Sequence, residues 1–164
     1  MKHLITADDI KGLTAAQLGI DSQRLEITIP EAEQRHLRPL LGPSLFDELL
    51  LFVQVATPST TDPLAALANQ VKPMLSQWAL VEAWPNLLMH VTNSGMVLKT
   101  GTGQGTTSAD AAVVSQVLTA HRATAAWRGQ ELVRWLESNK ADYPAYQSTT
   151  PVATGRALYG GINV

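Results

Sequence analysis

The residues of this sequence that could do chemistry are few, and their spacing decides what they can do. The run GTGQGTT at 101–107 stands ahead of a helical stretch, where the amides of a helix start could take an anion. It meets neither the GxGxxG of a dinucleotide fingerprint nor the Gly-Lys-Ser/Thr ending of a P-loop, and no βαβ pattern surrounds it. A flexible loop is the expectation. His3, His36, His90 and His121 show no i, i+4 pairing with each other and no HExxH, so no metal site is expected. His121 falls on an apolar helix face, where a satisfied core or interface histidine is the ordinary explanation. The carboxylate pairs Asp8/Asp9, Glu31/Glu33 and Asp47/Glu48 lie near helix starts or on solvated faces, which dipole and solubility already explain. No GxSxG elbow is present, and with zero cysteines there is no thiolate nucleophile, disulfide or Cys-based cluster. A protein that is not an enzyme and holds no cofactor is therefore expected.

The basic residues Arg122, Arg128, Arg134 and Lys140 recur every six positions, so they drift around a helix instead of forming one stripe, and Glu131 and Glu137 interleave with them. That pattern reads as a solvated, salt-bridged surface. A formal net charge of −2 argues in the same direction, against a chain built to grip nucleic acid.

The elements that must position these residues are helical. Thr6 ahead of Ala7, Asp8 and Asp9 is an N-cap with an acidic first turn, starting a short helix that Gly12 stops. TAAQLGI is a second short unit, closed by Gly19. Thr28 and Glu31 have capping-box spacing with Pro30 at the helix start, and a helix is predicted from about Pro30 to Leu41, weakened by Pro39 and ended by Gly42 and Pro43. SLFDELLLFVQV carries a wide apolar stripe from Leu45 to Val53 and belongs to the core. Asp62 with Pro63 then starts a central helix through PLAALANQVKPMLSQWALVEAWPNLLMHV, in which Pro73 and Pro85 predict kinks or a break into two or three segments.

Between Leu49 and Leu98 the only formally charged residues are Asp62, Lys72 and Glu82, so this helix has almost no face that prefers water. The helices on either side look too few to hide it. Part of the surface around Trp78, Trp84 and Leu88 is expected to be core and part to meet a neighbouring subunit. Asn93-Ser94-Gly95 among Val91, Met96, Val97 and Leu98 predicts a β-hairpin or extended arm over about 91–107. A last long helix spans roughly Ala109 to Ser138. The segment DYPAYQSTTPVATGRALYGGINV carries all three tyrosines of the protein among Pro, Gly, Ser and Thr, and reads as an extended tail that docks on another surface.

The fold class is thus mainly α: a small helical bundle with a long kinked central helix, one hairpin or extended arm, a helical domain over 1–142 and an extended tail over 143–164. The length of 164 residues fits one domain, and the charged share of 16% is low against the typical value of about 25%. Few charges suit a subunit covered by other subunits. No stretch has the roughly 18 uninterrupted apolar residues of a membrane span, and MKHLITADDIKGL lacks the apolar core of a signal peptide, so a soluble protein is expected.

ITADDIKGL, IPEAEQRHLRPLLGPSLFDELL, VKPMLSQWALVEAWPNLLMHVTNSGMVL and ELVRWLESNKADYPAY, in that order, resemble phage and prophage head-tail connector, or neck adaptor, proteins. The resemblance covers Ile5 to Tyr146. It implies a structural virion protein assembled in the host cytoplasm. Such proteins form a ring, commonly of about twelve copies, in the neck between portal and tail or stopper proteins. DNA would pass through the channel without sequence-specific binding. Partner contacts are then expected at Met96, Leu98, Lys99, Gly101 and Gly103 of the arm, and at Tyr146, Arg156, Tyr159 and Ile162 of the tail. The other function class open to this sequence is a soluble helical protein-protein interaction module outside the virion.

Overall fold

Residues 2–14, 20–55, 62–92, 95–98 and 111–146 are described by a computed structural model. Local signals account for most helix starts. Helix α1 (Ala7–Leu13) opens on a capping box in which Asp9 N–H donates to the Thr6 hydroxyl and Thr6 N–H donates to the Asp9 carboxylate. Helix α2 (Ser22–Glu26) is capped by Asp21, whose carboxylate accepts from Gln23 N–H.

The next stretch is helical throughout but not uniform. Helix α3 (Ile29–Ala32) passes through a π-turn at Glu33–Leu37, where Arg38 N–H reaches back to the Glu33 carbonyl, into α4 (Arg38–Leu41). Pro39 supplies a reason. In an unbroken α-helix its ring would press on the carbonyl four residues back and leave it without a donor, and a widened turn upstream moves that carbonyl aside. The capping box expected at Thr28 and Glu31 is not formed. Thr28 is buried in helical geometry, and its hydroxyl donates to the Leu25 carbonyl at 2.8 Å and lies 3.1 Å from that of Ala79, so it is spent on tertiary contact.

Gly42, at φ 76°, ends α4 and starts α5 (Pro43–Gln54), a backbone turn that a side chain would strain. The central helix α6 (Pro63–Leu88) begins where Asp62 accepts from Leu64 N–H, and it is divided at neither Pro73 nor Pro85, contrary to the expected break. Each internal proline costs about 3 kcal/mol in an exposed helix. Burial offsets that cost here: Val71, Met74, Leu75, Ser76, Gln77, Ala79, Leu80, Val81 and Ala83 are all buried, and at 3.6 residues per turn they go right round the helix.

The cover comes from within the chain. α1, α2, α3, the π-turn and α5 pack along α6 on one part of its surface, and α7 (Ala111–Ser138) makes the most extensive packing with it. The surplus face expected from the sequence is therefore closed over most of its length without a neighbour. From the end of α6 the chain continues into strand β1 (Met89–Thr92), which pairs antiparallel with β2 (Gly95–Leu98), Met89 opposite Leu98 and Thr92 opposite Gly95.

After α7 a 3-10 turn (Lys140–Asp142) brings Tyr143 back onto the body. Its ring is buried beside Trp135, and its hydroxyl donates to the Pro63 carbonyl at 2.7 Å. Tyr146 is only 3% exposed and belongs to the same core. The tail expected to begin at 143 thus starts with residues of the helical body. Tyr146, expected at a partner interface, is not available surface.

Candidate interaction site

Several polar side chains tie the neighbouring elements to α6, two of them through histidine. The π-turn presents His36 to α6, where its ring stacks on Trp78 with centroids 3.7 Å apart and planes within 4°. His36 Nε2 lies 2.8 Å from Glu82 Oε1, and since a carboxylate only accepts, the imidazole donates there. Arg35 Nη1 stands 3.5 Å from the other Glu82 oxygen and also pairs with Glu31 at 2.6 Å. On the α7 side, His121 donates from Nδ1 to Gln77 at 3.0 Å, with its ring 6.0 Å from that of Trp84. Both histidines are satisfied by α6, as expected for His121.

Glu33 ties a different pair of segments. Its carboxylate, 5% exposed, accepts from Leu4 N–H at 2.8 Å and from His3 Nδ1 at 3.1 Å, which fastens the chain start to the π-turn. Lys72 of α6 pairs with Asp9 of α1 at 3.2 Å. Partial burial pushes the Asp9 carboxyl upward, but hydrogen bonds from Thr6 and Lys72, with the Lys72 charge, outweigh it and hold the pKa below the ordinary value. Burial, followed by the charges of Asp142 and Asp62, raises that of Tyr143. Among the described residues no three His, Asp or Glu side chains are grouped as metal ligands would be.

Some large apolar side chains are left exposed. Leu51 on α5, Val55 just after it and Trp127 on α7 are 65%, 54% and 57% exposed, and Ile27 after α2 is also exposed. Large exposed side chains of this kind mark contact sites more often when they share a face with other open positions. Sequence reasoning does not single out Trp127, because its neighbours Ala123, Ala126 and Gln130 give no apolar stripe to read. Of the partner residues expected from the sequence, Met96 and Leu98 lie on β2, while Lys99, Gly101, Gly103, Arg156, Tyr159 and Ile162 lie outside the described residues, as does the run GTGQGTT.

The model of a family of unknown function, DUF6712, matches residues 37–156, well over half of the chain. The chain belongs to DUF6712. The DUF6712 match begins at the end of the π-turn and takes in α4, α5, α6, the paired strands and α7, so the exposed positions Leu51, Val55 and Trp127 fall within it. His36, Glu33 and α1 lie before it. No curated protein and no solved structure matches the chain.

Proposed function

We propose that this protein is a structural component of a virion neck, a head-tail connector or adaptor whose copies form a ring between portal and tail or stopper proteins around the DNA channel. One observation carries the reading furthest. The β1–β2 pair continues directly from α6, and among the described residues its main neighbours are its own strands and the end of that helix. An isolated two-stranded hairpin is marginal in water, so this position suits an element completed by a partner. Met96, Leu98, Lys99, Gly101 and Gly103 are its proposed contacts, with Arg156, Tyr159 and Ile162 acting from the C-terminal segment; Tyr146 is withdrawn from that set because it is core.

The low charge and mildly acidic balance support a channel through which DNA slides without being gripped. Rings of about twelve copies, assembled in the host cytoplasm, are the form implied by the resemblance.

A second reading is favoured by a different fact. Because α6 is covered within one chain, the fold does not need neighbours to hide its core, which suits a helical protein-protein interaction module outside the virion. Electron microscopy of the purified chain, alone and co-expressed with the portal protein of the same phage, separates the two. The adaptor reading expects rings seated on the portal and expects deletion of Gly101 to Gly105 to leave the fold intact while blocking assembly. A folded protein that never joins portal, in any particle, overturns it.

A further inference from the structure

The β1–β2 pair has two outer edges, and neither carries the sequence features that keep free edges apart. Among the described residues no third strand joins the pair. Its residue pairs run from Met89 with Leu98 to Thr92 with Gly95 without a bulge. From Ala83 to Leu98 the sequence has no Lys, Arg, Asp or Glu, and from Met89 to Leu98 it has no Pro. A strand paired on one side only still turns every second N–H and C=O outward. Natural edges of this kind are ordinarily guarded by lysine, proline or a bulge, because an unguarded one recruits further strands.

We propose that a second copy of this chain supplies the next strand: the β2 edge of one copy pairs with the β1 edge of the following copy. The strand directions allow it. β1 and β2 are antiparallel, so repeating the pair sideways sets each β2 antiparallel to the following β1. Gly95 opposite Thr92 and Leu98 opposite Met89 of the next copy is the register that uses all four residues of both strands. A two-fold contact of β1 on β1 would leave the β2 edges unpaired. Head-to-tail pairing uses both edges of every copy through one repeated rotation, and such a repeat closes a ring when the rotation permits. A foreign strand needs only one edge, whereas two unguarded edges suit a repeat. Two strands alone are marginal in water, and a sheet continued from copy to copy removes that weakness. The register also places Met89, Val91, Met96 and Leu98 on one face, so apolar positions line up along the extended sheet. This pairing deepens the proposed function and rests on its ring, not on the neighbouring proteins.

The chain has no cysteine, so thiols placed by substitution report on this contact alone. In the proposed register Val97 of one copy stands opposite His90 of the next, about 5 Å apart between Cα atoms and within disulfide reach. Full chains carrying His90→Cys alone and Val97→Cys alone are produced together in one cell, with and without the portal protein of the same phage, then purified and mildly oxidised. Disulfide-linked dimers holding one chain of each kind should take up to about half of the chains, because a quarter of the contacts in a randomly filled ring set the two thiols in the right order. Either variant produced alone should stay unlinked. Circular dichroism at native helix content shows that a variant is folded. For the natural chain, hydrogen exchange reads the same contact without substitution: the outward amides of both strands should gain protection on assembly.

Folded variants that give no mixed dimer in either setting overturn the pairing. Dimers formed as readily by one variant alone overturn it too, since they mark a two-fold contact, and so do strand amides that exchange equally fast in the assembled natural chain. Rings seated on portal without cross-links leave the adaptor reading standing. Cross-linked rings that never join portal keep the pairing and overturn that reading.

Discussion

On one flank of α6, α1, the start of α3 and the π-turn are joined to it through directional polar ties: Lys72 with Asp9, the Ala79 carbonyl with Thr28, and Glu82 with His36 and Arg35. On the other flank α7 is joined to it by His121 with Gln77 and packs closely through Ala125, Gly129, Leu132 and Leu136. Hydrogen bonds and ion pairs have one good geometry, so the first flank fixes the register of α6 against its neighbours. Apolar packing is less directional, and α7 is held by fit and area. The difference teaches where each kind of damage should be felt.

The sharpest break is expected on the packed flank. Leu136→Ala removes a fully buried side chain at the far end of α7, and a loss of about 2–5 kcal/mol in unfolding free energy is expected from chemical denaturation. A loss below that range would mean that α7 adjusts to fill the space and that its fit is loose. On the tied flank, Glu33→Ala leaves the Leu4 N–H without its acceptor and should cost about 1–3 kcal/mol. Hydrogen exchange at Leu4 reads the effect locally, and unchanged protection there would show that this tie holds nothing.

Gly129→Ala should move stability the other way. A Cβ at that position would stand 3.4 Å from the Met74 sulfur and 3.5 Å from Leu40 Cδ1, both ends of flexible side chains. A mid-helix glycine costs roughly 1 kcal/mol relative to alanine, so a gain of up to about that size is expected in the melting curve. A clear loss would show α7 packed against α4 and α6 with no slack.

The smallest effect is in acid. Since the native Asp9 carboxyl titrates below its unfolded value of 3.8, its contribution is present above that pH and is lost as pH falls through the lower native value. Asp9→Asn should flatten this limb of the stability profile measured by urea titration. An acid limb unchanged in the variant would assign the loss to other carboxylates.

Local chemistry makes much of the fold legible in the sequence. Thr6 with Asp9, Asp62 with Pro63, and Gly42 with Pro43 are signals completed within a few residues, and each stands at the boundary that its sequence marks. What stays hidden is non-local. Thr28 has capping-box spacing, but it is buried against Ala79, 51 positions away, in helical geometry that turns its hydroxyl onto the Leu25 carbonyl, and no window on the sequence contains the surface that buries it. The prolines of α6 spell a break because the cover that holds the helix together comes from both ends of the chain. The pairing of His36 with Trp78 and Glu82 is invisible for the same reason. Tyr143 and Tyr146 mislead through composition: the Pro, Gly, Ser and Thr around them signal an extended chain, while the two rings themselves are buried in the helical body.

The hydroxyl of Tyr143 on the carbonyl of Pro63 spans 80 positions of sequence and fastens the close of the helical body to the root of its central helix. It acts as a strain relief, like the clamp on a cable. Tension applied to the chain beyond Tyr146 meets two buried aromatic rings before it reaches the end of α7, so a pull from outside is delivered sideways into the base of α6 instead of peeling α7 away turn by turn.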